Sequence, residues 1–276
     1  MTDTRPHLVE RALLRDQWII SIGLIVLCLL AWTYLLGGAG TGMSLAQMTS
    51  ASLFPHTDLN GSAMVPERWH ATYATNMVAM WWVMMIAMMT PSVAPIILLQ
   101  ARAAQHAITK GAENASVLRQ TGAFAAGYLL IWLAFSGAAT FLQWALEAGR
   151  LLSAMTMGSQ SPWLSAMLLF AAGAYQLSPI KNFCLRHCQA PATFLSRHWR
   201  PGIYGAIRMG TIHGAYCVGC CWALMTLLFV GGVMNPIWIL ALATIVLLEK
   251  LGPYGTVMGK AGGGMLLLWG GATLLV

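Results

Sequence analysis

An imidazole and three thiols, His213, Cys217, Cys220 and Cys221, lie close together in a run that is otherwise apolar. On a helix at 100° per residue, His213, Cys217 and Cys220 share an arc of about 60°, and Cys221 widens it to about 100°. The group spans ~12 Å along the axis at 1.5 Å per residue. One Cys in such a run is a small apolar packing residue. Three with a His on one face read as ligands, and thiolate with imidazole suits Cu(I) or Zn(II). Met225 stands about 120° from His213, at the edge of the same face.

Two further groups carry soft donors. Met77, Met80, Met84 and Met88 share an arc of about 80° of one helix, with Met85 and Met89 flanking it. A Met stripe is often adaptable core packing, but thioethers bind Cu(I) and hardly bind Mg²⁺ or Ca²⁺. Met84 is expected at a depth similar to the thiols. The segment from Leu177 to Cys188 reads as a loop holding Cys184, His187 and Cys188 beside Lys181 and Arg186. A Cys-x3-Cys pair on a cytoplasmic loop points to metal or redox chemistry rather than to a structural disulfide, and nearby cations favour thiolate.

The elements that position these donors follow from composition. The chain has 276 residues, is 58% apolar and 8% charged, and has a mean hydropathy of +0.68. Soluble domains carry about 25% charge, so the class is an integral membrane protein. The six Cys fit no secreted disulfide framework. Apolar runs near 20 residues mark spans. They fall at Trp18–Leu36, Tyr73–Leu99, Gly122–Leu146, Trp163–Pro179, Gly205–Gly231, Pro236–Leu248 and Ala261–Val276. The last two are short, so the fold expected is an all-α polytopic bundle of seven spans, or six, forming one domain over residues 1–276. The first run reads as a retained helix, not a signal peptide.

The net charge of +7 reads as membrane orientation, not nucleic-acid binding. With seven spans, Arg68 and Arg150 fall on one side and the remainder of the 15 Lys and Arg on the other. The N-terminus is therefore expected in the cytoplasm. Pairs such as Gly210/Gly214 and Gly259/Gly263 permit close helix approach. Pro91 and Pro95 should kink the second span. Cys28 reads as packing, His106 and His198 as solvated loop residues, and Glu249-Lys250 as an interfacial pair. Met43, Met48, His56, Met64 and His70 populate an outer loop at irregular spacing.

The runs Met84 to Ser92 and Tyr175 to Lys181, the Cys184/Cys188 pair, and His213 to Met225 together resemble a bacterial family of metal-binding integral membrane proteins. Its members look like the copper-delivery accessory proteins of polyphenol oxidases (tyrosinases). The likeness covers roughly Asn76 to Met225, and the tail after Gly231 adds nothing to it. It implies metal handling, with a copper enzyme or a soluble copper carrier as partner.

The reading reached is a non-enzymatic protein that binds Cu(I), with Zn(II) as the alternative ion, and relays it. Cys184 and Cys188 would capture it, His213, Cys217, Cys220 and Cys221 would hold it, and Met80, Met84, Met88 and Met225 would offer weaker ligands. Other readings stay open. Cys217-Val218-Gly219-Cys220 is a CxxC, as in a membrane thiol–disulfide oxidoreductase. A small-solute or proton-coupled transporter would need intramembrane carboxylates, and none is expected. His213 is the one deep histidine, which disfavours a bis-His haem. No P-loop motif occurs.

Overall fold

The computed structural model describes residues 5–38, 69–111, 116–153 and 157–275. The expectations for Met43, Met48, His56 and Met64 fall outside the described residues. The described residues are helical and contain no strand, only an isolated bridge between Leu152 and Ser159. The helices are α1 Arg5–Leu36, α2 Ala71–Thr109, α3 Val117–Ala148, α4 Pro162–Leu177, α5 Pro179–Gln189, α6 Pro191–His198, α7 Gly202–Thr226, α8 Leu228–Gly231, α9 Pro236–Leu251 and α10 Gly255–Ala272.

The seven apolar runs fall in α1, α2, α3, α4, α7 with α8, α9 and α10, the last ending at Ala272. Among the described residues, four helical segments are long and apolar enough to cross a membrane: Arg15–Leu36, Ala71–Thr109, Val117–Ala148 and Gly202–Gly231. Counting α4 with α5 as one bent element makes five. The chain bends by 63° between those two helices, where sequence reading placed a loop. Ser178 ends α4 in an extended conformation, as the residue before a proline must. Its side chain then accepts from Lys181 N at 3.2 Å and starts α5 with Pro179 in the first turn. The same Ser-Pro logic starts α4 at Ser161-Pro162, and Asn235-Pro236 starts α9, with Asn235 accepting from Ile237 N and Trp238 N.

α2 continues helically through both prolines. Pro91 has no N–H for the carbonyl of Ala87, and the Cys28 thiol of α1 donates to that oxygen at 3.8 Å. Cys28 thus does more than pack. α3 and α7 meet along glycines. A Cβ on Gly210 would lie 2.0 Å from the Phe124 carbonyl oxygen, and one on Gly127 would lie 2.3 Å from that of Ile207. Backbones this close leave no room for a side chain. Gly210→Ala is therefore expected to lower the melting temperature of the purified protein, since overpacking costs about 1–3 kcal/mol. Gly23→Ala on α1, with nothing within 4 Å of the new methyl, should not lower it. Equal melting of the two variants would contradict the packing.

Candidate metal centre

α7 buries the face expected of it. His213 is 3% exposed, and Cys217, Cys220 and Cys221 are 1–2% exposed. The thiols of Cys220 and Cys221, one turn beyond Cys217, both donate to its carbonyl, at 3.1 and 3.0 Å. His213 lies among aromatic rings, stacked on Tyr128 at 6.0 Å and edge-on to Phe194 at 5.1 Å. Its Nδ1 is buried and has no hydrogen-bond partner among the described residues. Such an atom costs about 1–3 kcal/mol when left unmet, and it is a donor to a soft ion without rearrangement of a competing bond.

α5 lies across α7 and adds two thiols. Cys184 and Cys188 are one helical turn apart and face the same way. Cys184 Sγ sits where a Cβ on Gly219 would come within 2.9 Å, so Gly219 makes space for it. Cys188 lies beside Cys220. The thiols that sequence reading divided between a capture loop and a deeper site thus meet at one helix–helix contact. All six cysteines are free. His187 turns aside: it stacks on Tyr216 at 4.2 Å, and its Nδ1 meets the Phe183 carbonyl. His198 likewise stacks on Phe194, in α6 rather than in a loop. Among the described residues no three His, Cys, Asp or Glu side chains already converge on an ion. The Cys220 and Cys221 sulphurs are engaged with backbone and would have to swing from it to bind one.

Sequence reading missed three buried polar groups, two of which reach Cys217. Lys250 is 5% exposed. Its Nζ reaches Cys217 Sγ at 2.9 Å, Ser92 Oγ at 3.4 Å and Met89 Sδ at 3.7 Å. The Tyr128 hydroxyl pairs with the same Cys217 sulphur at 3.0 Å. Glu249 is 2% exposed and takes Lys181 Nζ at 2.6 Å and Gln176 Nε2 at 2.8 Å. Glu249-Lys250 is therefore not an interfacial pair, because consecutive helix residues point apart. A carboxylate also lies in the interior, where none was expected. One signal was available: a Lys and a Glu closing an apolar helix that has no partner for either on its own face.

The methionines divide. Met80, Met84 and Met88 are buried on α2 and Met225 on α7. Met85 and Met89 are buried too, so burial does not single out the stripe. Met89 shares Lys250 Nζ with Cys217.

A helical protein whose interior gathers thiols, thioethers and an imidazole has the donor chemistry of a soft-metal carrier. A family model described as a copper chaperone, PpoB2, matches residues 78–273. That is well over half of the chain, and the chain belongs to this family of copper chaperones. Its role is copper handling, and the family lends no support to Zn(II). The match also corrects the extent read from sequence, since it continues past Gly231 through α9 and α10 and includes Glu249 and Lys250. No curated protein and no solved structure matches the chain.

Proposed function

We propose that the chain is an integral membrane protein that binds Cu(I) through the thiols of α5 and α7 and hands it to a copper enzyme such as a polyphenol oxidase. The observation that carries this reading is the packing of α5 on α7, which sets Cys184 and Cys188 against the Cys217–Cys221 turn. Cys184 and Cys188 take copper first, Cys217, Cys220 and Cys221 hold it with His213, and Met80, Met84, Met88 and Met225 are weaker ligands on its route. Thioethers bind less tightly than thiolates, which lets an ion leave as well as enter.

Membrane placement is supported by α1, where Trp18, Ile22, Ile25, Leu29 and Leu30 are 54–67% exposed. Contiguous apolar surface of this kind needs lipid or another cover. We place the whole chain in the bacterial inner membrane as one domain with seven spans and a cytoplasmic N-terminus, α9 and α10 being the short ones. The charge asymmetry supports that orientation. The chain itself performs no chemistry on a substrate.

Delivery is tested by expressing a polyphenol oxidase in cells with the native chain or with Cys184→Ser/Cys188→Ser, then measuring copper in the purified oxidase. Copper occupancy is expected to fall with the variant, to the level found without the chain. Equal loading in all three cells would contradict delivery.

A further inference from the structure

The structure points to Lys250 as the residue that makes the copper site select a monovalent ion. This rests on the reading of Cys217 as a copper ligand. Among the described residues Lys250 pairs with no carboxylate: the ion pairs are Arg15–Asp16 and Lys181–Glu249. Its neighbour Glu249 is already held by Lys181, Gln176 and, through its carbonyl, Gln189 Nε2 at 2.7 Å. Lys250 Nζ is directed instead at Cys217 Sγ, with Ser92 Oγ and Met89 Sδ beside it. An ammonium this deep is costly unless an anion compensates it, and the nearest candidate anions are the thiolates.

Charge counting then sets the preference. The thiols and His213 are the same ligands whichever ion they hold, so the comparison turns on the charge of the ion. Zn(II) sets one more unit of positive charge beside the Lys250 ammonium than Cu(I) does, and Lys250 repels it by that much more. The Lys181–Glu249 pair is neutral by itself and favours neither ion. At separations near 4–5 Å and an effective dielectric constant of about 20, one extra unit of charge beside Lys250 is worth several hundred-fold, on the order of 300- to 1,000-fold, in relative affinity. Ligand softness also favours Cu(I), but softness does not depend on residue 250.

The test uses the full chain, purified anaerobically in detergent and equilibrated with buffered Cu(I) and Zn(II) together. The native protein is compared with Lys250→Met, Lys250→Gln and Lys250→Arg. The Met and Gln variants, one apolar and one polar, are both expected to lose roughly several hundred-fold in Cu(I)-over-Zn(II) preference, while the Arg variant keeps it. Gln decides alone if Met does not fold. Folded Met or Gln variants that bind Cu(I) with the native preference overturn the proposal. So does a loss in Met that Gln does not share, because that reports packing. A native protein that takes up no Cu(I) fails differently: it removes the copper site itself, and Lys250 with it.

Discussion

Replacing Cys217 and Cys220 together by Ser is expected to abolish stoichiometric Cu(I) binding. Cys217 is the junction of the site. Its sulphur meets Lys250 and Tyr128, and its carbonyl takes the Cys220 and Cys221 thiols. Cys220 is where α5 joins, through Cys188. Losing both removes two thiolates and disconnects the remainder. Disturbing an outer partner of a metal ligand costs roughly 10–100-fold in affinity, so loss of two ligands should exceed that. The fold should survive, because Ser is close to Cys in size and can donate to the same carbonyl. Competition against a chromophoric Cu(I) chelator reads the affinity, and far-ultraviolet circular dichroism checks helicity. Native-like copper binding by the folded double variant would place the site elsewhere.

The second large effect is on stability. Glu249→Gln leaves Lys181, 1% exposed, without its carboxylate. Breaking a buried pair by removing one partner costs about 3–5 kcal/mol, whereas removing both can be nearly neutral. Glu249→Gln is therefore expected to melt well below the native protein, and Glu249→Gln/Lys181→Met to recover most of the loss. The pair also joins α9, which carries Lys250, to α5, which carries Cys184 and Cys188. The single variant should accordingly bind Cu(I) more weakly even below its melting temperature. If it melts like the native protein, the pair is not what holds α5 to α9.

Much of the fold was legible because apolar length alone marks helices. The seven runs fall in helices, with ends set by residues such as Ser161-Pro162 and Asn235-Pro236. The break at Ser178-Pro179 was read as the start of a loop. The polar sequence that follows hid α5, although Cys184, Leu185 and Cys188 recur at helical spacing on the side it packs, behind a Ser cap. The thiol face of α7 was legible for the same reason as the helices: 100° per residue places His213, Cys217 and Cys220 together. What periodicity cannot give is the partner across a contact. No pattern within α7 announces that Cys188 reaches Cys220, that Tyr128 reaches Cys217, or that α9 turns Lys250 inward. Met89 illustrates the limit. It was set at the margin of a stripe centred on Met84, yet it is the methionine that Lys250 ties to Cys217.

The most direct test of the central claim is X-ray absorption at the copper edge, on the anaerobically purified chain loaded with one equivalent of copper. The account predicts an edge of Cu(I) and a first shell dominated by sulphur, lost in Cys217→Ser/Cys220→Ser. A shell of nitrogen and oxygen would contradict it. So would a protein that retains no copper and carries Cys217 and Cys220 as a disulfide, which would favour thiol–disulfide exchange instead.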